Sequence, residues 1–500
     1  MSQFNGEMLM SNIIRGSQWR KWDLHIHSTY SIEARAKLSV KSIFKEAIAK
    51  DISVIAISDH SNVTGLDEIW SVWENESVEL EGKSIKIREN IQFLPAIELK
   101  ANCGKRGVHF IVLMPPIFNG EKVNQQFFSE NILSKIDLTK TRITEAGKND
   151  YNKGLFEIAV DLKKTSEIVH KFGGLISVHA FGKDHNFENE IEHPKTKTPS
   201  EDELLHSLGE EKEFLMNNCI DICELNNDSE KSQTQANFYL INFSKPSILC
   251  SDSHESYSGS FTWIKADPTF NGLKQIIYEP EGRVCRKKEC PEDKMPYAVI
   301  DSVRFIDNRK HKEFTDEWIH LNPNLKSIIG GKSSGKSLLL YHIAKTIDPQ
   351  RIEGINKEKG SHKKIEYPFE IESDFDFEVK WVDGESYTLK SAKRPNRPIT
   401  FIPQLYLNRL AEDQKDELNQ LVNKMLIDSF DEYRIFREEI KTKIDNLKAD
   451  IFSAVESYYR LERDLENKAK KLAELGGCPR TQSRKAIFCQ KSLQTDKIIS

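Results

Sequence analysis

The feature that most constrains this chain is a recurring alternation between residues 20 and 290. Short apolar runs end in polar residues, and amphipathic stretches separate them. The runs are "DLHIHS" from Asp23, "VIAISDHS" from Val54, "IQFLPAIEL" from Ile91, "VHFIVLMP" from Val108, "GLISVHAF" from Gly174, "IDICEL" from Ile220 and "PSILCSDSH" from Pro246. Runs of this length with polar ends read as strands. "VKSIFKEAIAKD" from Val40 and "DLKKTSEIVHKFG" from Asp161 carry apolar residues at helical spacing, and Gly173 and Gly174 close the second. Strands alternating with helices predict a largely parallel α/β domain, with a barrel as one form and function at the C-terminal strand ends.

The chain has 500 residues, which predicts about three domains. A net charge of -5 supplies no global basic field, so any contact with nucleic acid must come from local patches such as "SAKRPNRP" and "RVCRKK". No apolar run approaches the ~20 residues that span a bilayer, and the first residues lack a secretion signal. The eight cysteines show no disulfide or zinc-ribbon spacing, and Cys219 and Cys223 alternate with apolar residues as buried thiols do. A reduced, cytoplasmic protein without a membrane partner is the expectation.

A second segment, 297–409, opens with β-like runs and leads to "SIIGGKSSGKSLLL". This fits G-x-x-x-x-G-K-S at Gly330, Gly335, Lys336 and Ser337, between an apolar β-like run and a helical pattern. In that context backbone N–H groups cradle phosphates, Lys336 reaches the β and γ phosphates, and Ser337 ligates Mg²⁺, so ATP with Mg²⁺ is the expected ligand. The third segment, 410–475, has apolar residues at three- and four-residue steps, among them Tyr433, Phe436, Ile440, Ile444, Leu447 and Ile451. That pattern predicts a long helix of coiled-coil type, or a long helix packed on its own domain. An irregular tail, 476–500, follows Gly476, Gly477 and Pro479.

"KWDLHIHST" puts His25 and His27 two residues apart, on one face of a strand and therefore able to share a cation. Alone it proves nothing, but the later runs add Asp59 and His60, Glu98, His109, His179, and the D-x-H of Asp252 and His254. Histidine and carboxylate together suit Zn²⁺, Mn²⁺ or Fe²⁺, and a bridging carboxylate allows two or three ions close together.

These residues resemble the polymerase-and-histidinol-phosphatase (PHP) family of metallophosphoesterases. Its four signature blocks stand here as "HIHS", "SDHS", "VHAF" and "SDSH", with Glu98 and His109 between the second and third. The resemblance covers roughly residues 20–270 and implies a distorted (β/α) barrel over a domain spanning 20–290. It also implies His25, His27, Glu98 and Asp252 as the catalytic core around one metal. Glu98, His109 and His179 would hold a second, and His60 and His254 a third. The family often has an acidic ligand in "SDG" after H-x-H; here Ile32 stands at that position and Glu33 is the substitute on offer. Lys183 and His185 in "AFGKDHN" are candidates for phosphate contact, against the commoner fate of a solvated loop.

Gln404 in "ITFIPQLYLNRLAED" resembles the Q-loop of ATP-binding-cassette and structural-maintenance-of-chromosomes ATPases, which makes 297–409 the N-terminal half of such an ATPase. No LSGGQ-type loop or Asp-Glu strand end follows, so the resemblance implies a truncated form or a second chain supplying the other half. A homo-oligomer formed through the ATPase or the coiled coil is the other arrangement it allows. The order of modules is similar to bacterial TrlF-like proteins. The expected function is a phosphodiesterase on nucleic acid under ATP control, in phage defence or repair. The alternatives are a phosphatase of small esters or nucleotides, and a nucleotide-switched scaffold.

Overall fold

A computed structural model describes residues 15–32, 36–191, 210–291, 294–350, 374–392 and 430–474, with isolated positions between these spans. Glu33, Gln404 and the 476–500 tail lie outside the described residues. The chain divides into two compact units, residues 1–400 and 401–500.

Nine strands form the main sheet of the first unit. They are β1 (Gln18–Ile26), β2 (Ile52–Ile57), β3 (Gln92–Lys100), β4 (His109–Leu113), β5 (Leu175–Phe181), β6 (Ile222–Leu225), β7 (Ser247–Leu249), β8 (Thr262–Ala266) and β9 (Val284–Cys285). Their order is β7-β6-β5-β4-β3-β2-β1-β8-β9. Helices α1 (Val40–Ala49) and α2 (Leu162–Lys171) start where Ser39 and Asp161 accept backbone N–H groups of the first turn. Helix α1 buries Val40, Ile43, Phe44 and Ala47.

The sheet is less parallel than the alternation predicts. β1–β2, β2–β3, β5–β6 and β6–β7 are parallel, whereas β4 runs antiparallel to both β3 and β5. Only residues 101–108 separate β3 from β4, too few for the crossover of a dozen or more residues that a parallel return needs. The reversal has a functional result. His109, the first residue of β4, pairs with Lys100 and so sits at the end of the sheet where the parallel strands finish.

The segment that follows β7 returns to the end of β1. Asp252 N–H donates to His25 O at 2.9 Å, His27 N–H donates to Ser253 O at 2.9 Å, and Ile26 bridges Ser253 in parallel sense. The sheet thereby curls into a nearly closed α/β barrel at the end where the polar residues collect. Alternation along each strand stocks one face: Leu94 and Ala96 with Glu98, Ile111 and Leu113 with His109, Leu175 with His179, and Ile222 with Glu224. The same face is apolar low down and carries histidine and glutamate side chains at the top.

After the barrel, β10 (Ile300–Asp307), β11 (Ile319–His320), β12 (Phe375–Trp381) and β13 (Ser386–Thr388) form a sheet in the order β11-β10-β12-β13, all antiparallel. Helix α3 (Lys336–Ile347) lays Leu339, Ile343 and Ile347 against Val303, Phe305, Phe377 and Val379. The apolar run before the glycine loop is not a strand: residues 321–330 lie outside every sheet, with Leu325 92% and Ile329 89% exposed. A strand needs a neighbour to take its backbone hydrogen bonds, and none pairs with this run among the described residues. The lobe is tied to the start of β1 by Arg15 to Asp301 at 2.5 Å, and by Asn322 Nδ2, which donates to Arg15 O at 2.7 Å and Ser17 O at 2.8 Å.

In the second unit, helix α4 (Asp431–Glu474) runs unbroken for 44 residues. None of its side chains is buried, and Phe436, Ile440, Ile444, Leu447 and Ile451 are exposed. The expected helix is present; no partner covers its apolar stripe among the described residues.

Candidate metal centre

Four side chains from three parts of the chain converge at the closed end of the barrel. His25 Nε2 lies 3.0 Å from His27 Nε2 and 3.3 Å from Glu98 Oε2, and His27 Nε2 lies 3.2 Å from the same oxygen. Asp252 Oδ1 stands 3.4 Å from His25 Nε2 and 3.3 Å from His27 Nε2. Donors arranged tetrahedrally about a zinc-sized ion at about 2.0–2.1 Å are about 3.4 Å from one another. His25, His27 and Glu98 already have the mutual spacing that one divalent ion requires, and Asp252 stands at that spacing from both histidines.

Glu98 turns its second oxygen to another group. Its Oε1 accepts from or faces His109 Nδ1 at 2.8 Å and His179 Nε2 at 3.5 Å, while Oε2 also meets His60 Nδ1 at 3.1 Å. Glu98 is therefore placed to bridge two ions. His179 is buried, and neither of its ring nitrogens makes a hydrogen bond. A buried unpaired imidazole is costly unless something absent from the protein satisfies it; a cation does so. A third group, His27, His60 and His254, stacks its rings, with centroids 4.6 Å apart for His27–His60 and 3.9 Å for His27–His254. Ile32 packs against the apolar core, and the carboxylates that border this third group are Glu98 and Asp252.

The neighbours hold this geometry. Asp59 accepts from the backbone N–H and the hydroxyl of Ser28, both at 2.7 Å, and fixes the turn that leaves His27. Asp23, fully buried, accepts from Ser251 N–H and the Tyr257 hydroxyl, both at 2.9 Å, and so pins the Asp252 segment. Asp252 itself takes a left-handed backbone, φ 47°, tolerated by Asp better than by most residues.

The main surprise is a buried acid–base pair behind His25. Glu224 presents both oxygens at 3.0 Å to His25 Nδ1, and Lys183 Nζ donates to Glu224 Oε1 at 2.5 Å and to Asp252 Oδ2 at 3.2 Å. Lys183 is thus no solvated loop residue. His185 is half-buried, its Nδ1 3.1 Å from Gly107 O and its ring stacked on His109 with centroids 4.7 Å apart.

Electrostatics follow from the packing. Burial opposes charge on every group, yet Glu224, Asp252 and Glu98 push His25 up to about 10. Burial also opposes ionisation of Glu224, but His25 and Lys183 bring it down to about 2. The imidazoles of His60 and His25 hold Glu98 well below the usual carboxylate range against its burial. Asp252 is lowered in the same way by His25, His27 and Lys183. Burial, then the Lys183 charge, drops His179 to about 3, leaving it neutral, as a ligand must be. Without an ion, His25 and Lys183 carry the positive charge that keeps these carboxylates ionised, and a bound cation would take the place of the His25 proton.

The glycine loop is built differently. Gly335, at φ 84°, precedes α3, and no side chain caps the helix. Lys336 Nζ donates to Gly330 O at 2.8 Å, Gly331 O at 2.5 Å and Ser334 Oγ at 3.3 Å.

The PHP domain family model matches residues 23–206. A 5'-3' exoribonuclease of Haemophilus influenzae is 30% identical over 94 residues, which are 19% of this chain and 28% of that protein. The chain thus spans little more than a quarter of that relative. Among solved structures, a lesion-specific endonuclease from Pyrococcus furiosus is 20% identical with a TM-score of 0.32, covering 53% of this chain and 57% of that one. An amidohydrolase from Chromobacterium violaceum is 14% identical with a TM-score of 0.32, covering 53% and 97%. The PHP match spans the segments carrying His25, His27, His60, His109 and His179, and residues 23–206 therefore belong to a PHP domain.

Proposed function

We propose that the chain is a divalent-metal-dependent phosphodiesterase acting on nucleic acid, with the Lys336 loop binding ATP and Mg²⁺ as a control module. The observation that carries this reading is Glu98, which faces five histidines through its two oxygens. His25, His27, Glu98 and Asp252 would hold one ion, Glu98, His109 and His179 a second, and His60 with His254 a third. Such ions acidify a water and neutralise phosphoryl oxygens.

The chain's own residues do the rest. The barrel end closes around buried carboxylates and excludes bulk water from His25 and His27, both fully buried. Phe156 lies at the mouth, 42% exposed, its ring centroid 6.4 Å from that of His60. A base next to the scissile phosphate would stack there. The similarity of 94 residues to a 5'-3' exoribonuclease supports a nucleic-acid substrate. The net charge of -5 favours the second reading, a small phosphate ester. A role in phage defence or repair is fold-level analogy.

Incubation with Mn²⁺ or Zn²⁺ separates the readings, using labelled single- and double-stranded DNA and RNA beside p-nitrophenyl phosphate and mononucleotides. Cleavage of polynucleotide that vanishes in His25→Ala supports the proposal. Turnover confined to small esters overturns the substrate, and no hydrolysis by a metal-loaded protein overturns the enzyme.

A further inference from the structure

We propose that Glu224 and Lys183 form a paired positioning device for the metal centre: Glu224 orients His25, and Lys183 orients Asp252 while compensating the charge of Glu224. The inference rests on the metal reading above and concerns two residues outside the ligand set.

The atoms divide the labour. His25 has two ring nitrogens, and they face opposite partners: Nε2 points at His27, Glu98 and Asp252, while Nδ1 lies 3.0 Å from both Glu224 oxygens. With Glu224 ionised, Nδ1–H donates to Glu224, so the proton that an ion would displace from His25 is the one on Nε2. Asp252 is divided in the same way. Its Oδ1 faces the histidines and its Oδ2 accepts from Lys183. Lys183 Nζ, bonded to both Glu224 Oε1 and Asp252 Oδ2, thus ties the partner of His25 to the outward-facing oxygen of Asp252. Both residues of the pair are buried, Glu224 completely and the Lys183 side chain to 7% exposure. A lone carboxylate there would carry a large desolvation cost; the ammonium offsets it.

The fold explains how two residues 41 positions apart meet. β5 and β6 are parallel neighbours, with Glu224 opposite His179, and Lys183 lies in the turn that leaves β5. Another occupant of this corner would be an ion held by His25, His179 and Glu224 together. Lys183 already holds a positive charge on Glu224 Oε1 and Asp252 Oδ2, which opposes a cation in the same place.

The test compares metal affinity with stability. Zn²⁺ or Mn²⁺ affinity is measured by chelator competition, and unfolding of the metal-free protein by denaturant. The variants are Glu224→Gln, Lys183→Met and the double substitution. Each single variant leaves one buried charge unbalanced and is destabilised; the double variant removes both charges and regains stability. The proposal expects the double variant to remain on the order of 10–100-fold weaker for metal, the cost of losing an outer partner of a ligand. Recovery of full metal affinity along with stability overturns it, because the pair would then be packing alone. An unchanged affinity in Glu224→Gln also overturns it. If Glu224→Gln does not fold, the double variant decides. Absence of divalent-metal binding in the unsubstituted protein would instead sink the centre itself. Loss of one whole equivalent of metal in the double variant would assign Glu224 as a ligand and overturn the positioning role.

Discussion

The barrel end and the glycine loop are opposite ways to build a site. The barrel collects side chains from β1, β3, β4, β5, β6 and the segment after β7, and buries most of them. The glycine loop is one continuous stretch, Gly330–Ser337, in which Lys336 bonds to its own loop carbonyls. A dispersed site exists only if the whole fold is right, so its convergence tests the fold and the function together. A local loop can form on its own terms, and its geometry says less about the chain around it.

This contrast can be broken by measurement. The largest effect falls on the dispersed site: Glu98→Gln removes the carboxylate shared by two ligand groups. Metal retention and hydrolysis should each fall by more than about a hundredfold, read by chelator competition and turnover. If Glu98→Gln retains both, the groups do not share an ion. Next, Lys336→Ala should weaken Mg-ATP binding by about thirtyfold, roughly 2 kcal/mol for a lost charged contact, with metal content unchanged. Titration with a fluorescent ATP analogue checks this, and a parallel loss of metal would deny that the sites are separate.

The lobe that carries Lys336 should also show a pH effect of its own. His342 packs among Phe305, Phe375 and Phe377 with both ring nitrogens unpaired. Burial, helped by Lys345, lowers it to about 4. The unfolded chain takes up that proton below about 6.5 and the folded lobe resists it. Stability is therefore complete above about pH 6.5 and falls by about 2 kcal/mol on going to pH 5. Denaturant midpoints at the two pH values should show a smaller decline in His342→Leu than in the parent. The smallest effect belongs to Phe156→Ala. Loss of one stacked base should raise KM for a polynucleotide by about fivefold, about 1 kcal/mol, with little change for p-nitrophenyl phosphate. Equal changes for both substrates would remove the stacking role.

Much of the convergence at the barrel end was legible in the chain because its histidines and carboxylates end apolar runs, where alternation keeps them on one face. Glu224 escaped, although "ICEL" repeats the pattern of "AIEL" around Glu98: an acid set among apolar residues at the end of a run. The two buried thiols beside it drew the reading toward plain core. Lys183 was hidden because a charged loop residue is normally solvated, and only the register of β5 and β6 brings it onto Glu224. The direction of β4 was open to inference from the short 101–108 connection, which cannot cross a sheet. The strand expected before Lys336 failed for the converse reason. Apolar content favours a strand, but only a hydrogen-bonded neighbour makes one.

The ties between Arg15 and Asp301, and from Asn322 to Arg15 and Ser17, have one more consequence. They grip the first turn of chain before β1, and His25 and His27 lie at its far end. A strand that slips by one residue turns every side chain to the opposite face. The grip on its start therefore acts as a latch on register, and partners 286 positions away in the chain help decide which way the two histidines look.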